Sequence, residues 1–546
     1  MSFSPNDIGL QLKADVLVIG GGPAAAWAAW SATRQGAKTV LVDKGYLGAS
    51  GAAAASGNGV MAVPPNPAAR EAAVSERYLA GKYLANSRWI ERILDQTWKS
   101  MPLVEEWGYR FPKEDGQTIR RSYYGPEYMK VMRKTVKRAG VEVLDQSPAL
   151  ELLLDSEGAV AGARGLQRQE NRTWTVHAGA VVLATGGCAF LSKALGCNTN
   201  TGEGLLMAAE AGGELSGMEF SSQYAISSAL NATVTRGVPF GWATFTDEAG
   251  NDLGGSINGR RAPSFLQKAL LRGPVYARLD KATPEVKRVI ERSHFITFLP
   301  FEKAGIDPYT QRFPVTMVLE GTVRGTGGIR IVSDDCASTV PGLYAAGDAA
   351  TRELMAGAAS GGGGPNAAWA ISSGQWAGEG AARYALSLGK HVSTRGLREA
   401  GHTGLRATTP AAQNFNSDEV IKGVQNEMLP LEKNYFRTEQ GLTSSLEKLD
   451  TLWTSLKTGP VRQTVRDVQR SREAAALVAV ARWSYFSGLE RRETRSMQNR
   501  IDYPETDPNQ RHYLATGGLD KLWVRLEPVA EPILSRFTEK ETAVAA

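Results

Sequence analysis

The sequence has few of the residues that bind metals in proteins. Its 546 residues include only three cysteines and five histidines. Cys188, Cys197 and Cys336 form no CxxC pair and no plausible ligand set, which argues against an iron–sulfur cluster or a zinc site in this chain. An odd and sparse cysteine count also fits a reducing compartment.

Long apolar runs are also missing. No uninterrupted apolar stretch reaches the ~18 residues that a membrane-spanning helix needs. The segment Met1 to Leu12 lacks the basic region and apolar core of a signal peptide. These two absences, with the sparse cysteines, predict a cytoplasmic protein without a membrane span.

Positive charge is in mild excess, with a formal net charge of +6 and an isoelectric point near 9.0. Nucleic-acid binding would need these charges in one cluster, so it is not expected. The densest run contains Lys130, Arg133, Lys134, Lys137 and Arg138. Apolar residues recur between them at helical spacing, which predicts an amphipathic helix with a solvated basic face. The alternative is a docking surface for an acidic partner.

Glycine is abundant, with 59 residues, and the clearest glycine turn lies near the N-terminus. Residues 15–19 form an apolar run, Gly20 to Gly22 interrupt it, a helical stretch runs from Pro23 to Gln35, and a second apolar run covers 39–42. This order of strand, turn, helix and strand predicts a βαβ unit of a parallel sheet.

This unit carries the spacing of a dinucleotide-binding loop. Gly20 permits the tight turn, Gly22 lets the backbone approach a pyrophosphate, and the small Ala25 lets helix and strand pack closely. The N-terminus of the helix would face the phosphates. Asp43, at the end of the next strand, is placed to accept hydrogen bonds from a ribose.

Three later motifs extend this prediction to FAD. Ala184-Thr185-Gly186 follows an apolar run, and Gly347-Asp348 follows another. The four glycines from Gly361 to Gly364 precede Pro365, which suits the first turn of a helix. A helix starting there would stabilise negative charge on a reduced flavin, and the alternative for the glycine run is a flexible linker.

With these motifs in place, the chain resembles the succinate dehydrogenase/fumarate reductase flavoprotein superfamily, which also contains L-aspartate oxidase, the ketosteroid dehydrogenases and the alpha subunit of adenylylsulfate reductase. The segments that carry the resemblance are Asn200 to Gly204 with the following MEF, Thr235 to Gly237, Gly327 to Ile329 with VPGLYAAGDAA, and Arg492 to Arg495 with Arg500 to Pro504. They cover nearly the whole chain.

The resemblance implies an α/β fold: a Rossmann-like FAD-binding domain with an inserted α+β capping domain and a helical C-terminal domain. The expected bounds are 1–219 and 323–409 for the FAD-binding domain, 220–322 for the cap and 410–546 for the C-terminal domain. Gly51 stands where many members attach FAD through histidine, so noncovalent FAD is expected. The expected FAD-binding residues are Gly20, Gly22, Pro23, Ala24, Ala25, Asp43, Lys44, Ser50, Gly51, Ala149, Ala184, Thr185, Gly186, Asn200, Thr201, Glu203, Gly347, Asp348, Gly364, Asn366 and Ala367.

The substrate site departs from that of the dicarboxylate enzymes. Where those enzymes carry two histidines and an arginine, this chain has Tyr224 (or Gln223), Val323 and Ser360. Succinate, fumarate and aspartate are therefore not expected as substrates.

Three residues remain as catalytic candidates. Arg236 stands where fumarate reductases place a proton-delivering arginine, and it could instead hold an anionic substrate. For Arg236 a surface salt bridge is the remaining alternative. Tyr224 is a candidate acid/base, with a packed core tyrosine as the alternative, and Arg324 is a third candidate. His294 is expected to be structural.

The expected activity is FAD-dependent transfer of two electrons to or from a small anionic substrate, with a ferredoxin-type iron–sulfur subunit as a candidate partner. The adenylylsulfate reductase alpha subunit, which also lacks the dicarboxylate residues, has such a partner. Two alternatives remain: a stand-alone FAD oxidase or CH–CH dehydrogenase with a tyrosine acid/base, and a non-catalytic flavin-containing accessory protein.

Overall fold

The computed structural model describes residues 9–55, 57–255, 264–360, 362–389, 395–406, 416–457 and 464–530. Its strands, in chain order, are β1 (Leu10–Ile19), β2 (Thr39–Val42), β3 (Gly57–Gly59), β4 (Lys113–Glu114), β5 (Gln117–Thr118), β6 (Ser122–Tyr124), β7 (Glu142–Leu144), β8 (Ala149–Leu154), β9 (Val160–Gln167), β10 (Arg172–Leu183), β11 (Leu215–Ser216), β12 (Tyr224–Ser228), β13 (Thr244–Thr246), β14 (Val275–Arg278), β15 (Phe313–Leu319), β16 (Gly328–Ile329), β17 (Leu343–Ala345), β18 (Arg398–Glu399), β19 (His512–Gly517) and β20 (Trp523–Pro528).

The helices alternate with these strands in the first part of the chain and dominate the last part. They are α1 (Pro23–Arg34), α2 (Pro67–Ala80), α3 (Ser87–Glu106), α4 (Gly125–Arg138), α5 (Glu203–Glu210), α6 (Ser264–Leu270), α7 (Pro284–Ser293), α8 (Phe295–Ala304), α9 (Gly321–Arg324), α10 (Glu353–Ala356), α11 (Gly364–Ser387), α12 (Ser417–Met428), α13 (Leu431–Asn434), α14 (Glu439–Lys457) and α15 (Val465–Glu490).

A sheet of eight strands forms the centre of the fold. Its order is β18-β8-β9-β10-β1-β2-β7, and β17 also pairs with β10. β1 runs parallel to both β10 and β2, so that Val18 pairs with Val182 on one side and Leu41 on the other. The βαβ unit predicted from the sequence is therefore present, although β1 begins earlier than predicted, at Leu10.

The alternation of residues from 150 to 177, followed by the apolar run at 180–184, predicts a small antiparallel insertion before the chain rejoins the main sheet. In the structure this segment is continuous with the sheet. On one side, the first half of the long strand β10 pairs antiparallel with β9. On the other side, nearly all of β10 pairs parallel with β1. β8 continues the antiparallel pairing on the other side of β9. The expected small insertion is thus the edge of the main sheet, because a single strand belongs to both pairing patterns.

The apolar runs at 329–332 and 342–346 predict that the chain returns to the main sheet at both places, and for 329–332 this prediction is wrong. β16 pairs with β11 in a separate four-stranded sheet that also contains β19 and β20. Only β17, within the predicted strand at 342–346, joins the main sheet, where it pairs with β10. The extended pair β19–β20 shows that the C-terminal part carries strands as well as helices α12 to α15.

A third sheet occupies the part of the chain predicted as the cap. Its order is β12-β15-β14-β13, all antiparallel, and α6, α7 and α8 lie in the same part of the chain. The mixed α/β class with a large sheet and a helical C-terminal part is as predicted, whereas the exact domain bounds stay a prediction.

Close helix packing holds the first motif against the later part of the chain. α1 packs on α11 at Gly374 and Gly378, where a Cβ would overlap backbone atoms of Ala24 and Ala28. Trp27 on α1 is fully buried in the same core. On α4, the apolar residues are buried and Lys130 and Lys134 are exposed, as the amphipathic pattern predicts.

Candidate functional site

A cavity of about 640 Å³ opens beside the carboxyl ends of β1, β2 and β10. Ligands of open α/β sheets bind at this edge. The predicted cofactor residues that line it are Gly20, Gly22, Pro23, Ala24, Asp43, Lys44, Ser50, Gly51, Ala149, Ala184, Thr185, Gly186, Asn200, Glu203, Gly347, Asp348, Asn366 and Ala367. Motifs that are far apart in the sequence thus meet around one space.

Three predicted cofactor residues do not line the cavity. Ala25 is fully buried in α1, where its small side chain allows the close packing expected of it. The Thr201 hydroxyl donates to Glu203 and accepts from Lys44, so that it positions two lining residues. Gly364 brings the start of α11 close to the backbone of Met61, since a Cβ there would lie 3.2 Å from the Met61 nitrogen.

Two glycines beside the N-terminus of α1 leave no room for side chains. Gly20 has a φ of +130° and a Cβ on it would overlap the Ala184 carbonyl. A Cβ on Gly51, at a φ of +87°, would lie 2.9 Å from the Gly22 Cα. No side chain caps the N-terminus of α1, and its first turn contains no acidic residue. Free N–H groups at such a terminus, with glycine backbone around them, suit a phosphate group.

Asp43 faces the loop of Gly20 to Gly22 from the end of β2. Its carboxylate accepts a 2.5 Å hydrogen bond from the Ser50 hydroxyl. Burial raises the pKa of Asp43, although hydrogen bonds from Ser50 and from backbone N–H groups oppose this effect. A Cβ on Gly21 would overlap the carboxylate, so Gly21 is as restricted as Gly20, although it was not among the predicted cofactor residues.

Lys44 lies next to Asp43 and is held by two carboxylates. Its Nζ is 2.6 Å from Glu203 and 2.7 Å from Glu473. Burial lowers the pKa of Lys44, but the two carboxylates outweigh this effect and raise it above its ordinary value. Glu473 and Gln469, both on α15, and Arg168 line the cavity and were not predicted. No local sequence signal marks them, because they reach the cavity only through the tertiary fold.

These residues fit a dinucleotide cofactor. The glycine backbone and the helix N-terminus suit a pyrophosphate, and the buried Asp43 suits the hydroxyls of a ribose. Gly51 offers no side chain to which a flavin could be attached, which fits noncovalent binding. Four of the predicted motifs therefore contribute to one cofactor-sized cavity, although Gly361 lies outside the described residues.

The side of the cavity formed by Arg324 is more polar than the glycine loop. Arg324, Asn366 and Tyr123 line it and are all buried. The Arg324 Nε, the Asn366 Oδ1 and the Tyr123 hydroxyl have no hydrogen-bond partner within the described part of the chain. Tyr123 was not predicted, because its sequence neighbourhood carries no motif. Buried polar atoms of this kind are expected to meet a ligand or ordered water.

Arg236 does not line the cavity but lies in electrostatic reach of Arg324. Burial, with a smaller contribution from Arg324, lowers the pKa of Arg236 to about 10. The Glu320 carboxylate accepts a 2.9 Å hydrogen bond from Thr235 and lies 3.8 Å from the Arg324 Nε. Burial lowers the pKa of Arg324, but Glu320 and weaker negative neighbours outweigh it and raise it overall.

His294 lies within electrostatic range of Arg236. It lies between α7 and α8, and its Nδ1 is 2.8 Å from the Ser293 hydroxyl. Burial lowers its pKa, and the positive charge of Arg236 lowers it further. His294 was expected to be structural, and in the structure it also lies within electrostatic range of Arg236.

Tyr224, the predicted acid/base, is placed elsewhere. It is 3% exposed at the start of β12, and its hydroxyl donates to the backbone carbonyls of Met428 and Leu429 at 3.1 and 3.0 Å. Burial raises its pKa well above its ordinary value. It does not line the cavity, so its position gives no support to the predicted acid/base role; the hydroxyl instead links β12 to the end of α12.

The positions aligned with the dicarboxylate residues hold no charged side chain. Val323 is fully buried, and its carbonyl accepts a 3.2 Å hydrogen bond from Asn366. The Ser360 hydroxyl donates to the Arg324 carbonyl at 2.8 Å. Both residues support the backbone around Arg324 and offer no cationic group to a carboxylate.

Two kinds of site are not found. In the ranges that the structure describes, no group of three or more histidine, cysteine, aspartate or glutamate residues could hold a metal ion. No helix within those ranges combines the length and apolar character needed to cross a bilayer.

Sequence comparisons give a consistent picture. A family model for an FAD binding domain matches residues 15–365, and one for the fumarate reductase flavoprotein C-terminal region matches residues 427–531. The chain is 25% identical to the fumarate reductase flavoprotein subunit of Mycobacterium tuberculosis, over 92% of this chain and 94% of that one. It is 29% identical to the L-aspartate oxidase of Streptomyces coelicolor, over 63% of this chain and 64% of that one.

Solved structures share the fold. A mutant of the Escherichia coli quinol fumarate reductase subunit FrdA aligns with a TM-score of 0.82 at 20% identity, covering 97% of this chain and 99% of that one. Adenylylsulfate reductase of Archaeoglobus fulgidus aligns with a TM-score of 0.75 at 18% identity, covering 97% and 98%.

Proposed function

Since the chain belongs to the FAD-binding oxidoreductase family of the fumarate reductase flavoproteins, with FAD as its cofactor, we propose that it transfers two electrons to or from a small anionic substrate held beside Arg324. FAD supplies the two-electron chemistry when it is bound. The protein supplies the binding of the substrate, its orientation and the exclusion of water.

The observation that carries this proposal is the buried guanidinium of Arg324, which lines the cavity and whose Nε has no hydrogen-bond partner among the residues that the structure describes. The positive charge of Arg324 also contributes to lowering the pKa of Arg236, while the negative charges of Glu320 and Asp348 raise the pKa of Arg324. Asp348 is itself paired with the buried Arg352. A buried guanidinium with an N–H that lacks a hydrogen-bond partner is costly, and an anionic ligand that accepts from Arg324 would offset this cost.

The two arginines would act as binding groups rather than as proton donors. With a pKa of about 10, Arg236 stays protonated near neutral pH. Guanidinium groups match carboxylate, sulfate and phosphate oxygens with two N–H donors each. Residues from β12 to β15 would cover the substrate, because Arg236 and His294 both come from that part of the chain.

A ferredoxin-type iron–sulfur subunit is the proposed electron partner. The described part of the chain contains no cluster of metal ligands, so electrons that leave the flavin site need an external acceptor or donor. Lys130, Lys134 and Lys137 of α4 are exposed and would attract an acidic carrier.

Anaerobic reduction of the FAD-loaded protein tests this function. The flavin absorbance would be followed against a panel of small carboxylates, sulfur oxyanions and phosphate esters, and then with reduced ferredoxin. We expect one anion to change the flavin redox state in the native protein and not in Arg324→Gln. Reduction by a neutral compound with equal rates in both proteins would overturn the anionic assignment. Stoichiometric peroxide in air would identify a stand-alone oxidase and remove the need for a protein partner.

A further inference from the structure

We propose that Tyr123 is a substrate-binding residue, whose hydroxyl donates a hydrogen bond to an oxygen of the anion held by Arg324. This inference rests on the proposed function and names a determinant of its specificity. The group recognised is an oxyanion, a carboxylate or a sulfur or phosphorus oxyanion, because a neutral O–H beside a guanidinium suits oxygen acceptors with negative charge.

The backbone directs Tyr123 toward the cavity. Tyr123 lies in the middle of β6, which pairs antiparallel with β3, so that Tyr123 faces Asn58 across the two strands. Neighbouring side chains on a strand point to opposite faces. Tyr123 is accordingly 3% exposed and lines the cavity, whereas Tyr124 is 37% exposed and does not.

The ring of Tyr123 is held in place by a second tyrosine. It stacks on Tyr128, with ring centroids 4.0 Å apart and planes inclined by 22°. The Tyr128 hydroxyl accepts a 2.7 Å hydrogen bond from the Trp27 indole, and both of these residues are fully buried. Tyr123 is therefore fixed by its ring, and its hydroxyl is not needed to hold it.

That hydroxyl has no hydrogen-bond partner among the residues that the structure describes. A buried polar group without a partner destabilises the fold by about 1–3 kcal/mol, so a phenylalanine would be more favourable here if only packing mattered. The cost is recovered if a ligand accepts the hydrogen bond.

Charges around Tyr123 indicate what kind of ligand this is. Arg324 and Asp348 both act on its hydroxyl electrostatically, so it lies on the Arg324 side of the cavity. Burial raises the pKa of Tyr123 well above its ordinary value, with a further contribution from Tyr128, and Arg324 only partly opposes this. The hydroxyl hence stays protonated and is available as a donor. Because Tyr123 and Arg324 line the same cavity, both can donate to one oxyanion.

The substitution Tyr123→Phe removes one oxygen atom and keeps the stacked ring. Tyr124→Phe makes the same change at the exposed neighbour and is the matched control. FAD-loaded proteins would be titrated with sulfate and with malonate, and binding would be read from the change in the flavin absorption spectrum. FAD retention and the thermal unfolding midpoint would be measured without anion.

We expect Tyr123→Phe to weaken binding of at least one anion about tenfold, the loss typical of one hydrogen bond to a charged group, and Tyr124→Phe to leave it unchanged. FAD retention should be equal in all three proteins. Equal anion affinity in the native protein and Tyr123→Phe would overturn this inference alone. A loss of FAD in Tyr123→Phe would assign the hydroxyl to the cofactor instead. No binding of either anion by the native protein would count against the proposed function as well.

Discussion

Lys44 and Glu473 form an ion pair, with the Lys44 Nζ 2.7 Å from the Glu473 carboxylate. Lys44 follows the second strand of the nucleotide-binding unit, whereas Glu473 lies on α15, in the C-terminal helical part. Both line the cofactor cavity. The C-terminal part of the chain therefore contributes directly to the cavity built by the N-terminal motif, and the two should lose stability together.

Replacing Glu473 with glutamine should destabilise the whole protein. The change removes one of two carboxylates from Lys44 and leaves Glu203, so we expect a loss of about 1–3 kcal/mol in the free energy of unfolding. Urea denaturation followed by circular dichroism measures it. Asp418→Asn is the control, because Asp418 forms an ion pair with the neighbouring Arg470 but its side chain is 71% exposed. The Asp418→Asn variant should lose no more than about 0.5 kcal/mol of its free energy of unfolding. Equal losses in both variants would show that the Lys44 pair adds nothing beyond a surface contact.

Local motifs made much of this site predictable. The residues around Gly20, Asp43 and Ala184 were identified because each follows a strand end, and the ends of neighbouring parallel strands meet at one edge. Their roles depend on backbone geometry that a short sequence can encode, such as the positive φ of Gly20.

Residues that reach the cavity through long-range packing could not be predicted in this way. Glu473 and Tyr123 carry no motif, and their neighbours in sequence indicate only a helix and a short strand. Tyr224 shows the converse: it is a candidate because it stands where the dicarboxylate enzymes carry a histidine, but tertiary packing places its hydroxyl against the carbonyls of Met428 and Leu429. Position along the sequence does not specify which face of β12 a side chain occupies.

Replacing Gly22 with alanine separates folding from cofactor binding. The Gly22 φ is −82°, and the only neighbour of an added Cβ is the Gly51 Cα at 3.6 Å, so the fold should accept it. The methyl group would occupy part of the cavity, and we expect FAD affinity to fall at least about tenfold. Fluorescence of released FAD measures the affinity. Gly273→Ala, where a Cβ meets nothing, should leave both properties unchanged. Normal FAD affinity in Gly22→Ala would mean that no phosphate approaches this backbone.

Glu353 should make the protein less stable as the pH rises. Burial raises its pKa from 4.5 to about 8, and its carboxyl is hydrogen-bonded by Ser216 with Glu219 close by. Below pH 4.5 the group is protonated in both the folded and unfolded states. Between pH 4.5 and about 8 only the unfolded chain releases the proton, so stability falls through this window and then levels off.

The variant Glu353→Gln isolates this contribution. Each unit of pKa difference corresponds to about 1.4 kcal/mol, so the native protein should lose on the order of 4 kcal/mol more than Glu353→Gln across the window. Urea denaturation at pH 5, 6, 7 and 8 (roughly the span of the shift) measures the two slopes. Parallel slopes would show that Glu353 has an ordinary pKa in the folded protein.

Arg236 should control the protonation of His294. Burial is the larger cause of the low pKa of His294, and the positive charge of Arg236 adds to it. In Arg236→Gln the second cause is removed, so the pKa of His294 should rise toward its ordinary value of 6.5 without reaching it. In Arg236→Lys the positive charge is kept, and the pKa should stay low.

NMR titration of the histidine imidazoles measures this shift, with His294→Asn identifying the signal. His177 is an internal control in the same spectrum, because its pKa is lowered by burial and by Lys13, which the substitution does not touch. If the pKa of His294 rises and that of His177 does not, the residues between α7 and α8 lie next to Arg236 in solution. From that position they could cover an anion bound at Arg324. An unchanged pKa of His294 would mean that this part of the chain lies away from Arg236. The residues that cover the substrate would then have to come from an element other than β12 to β15.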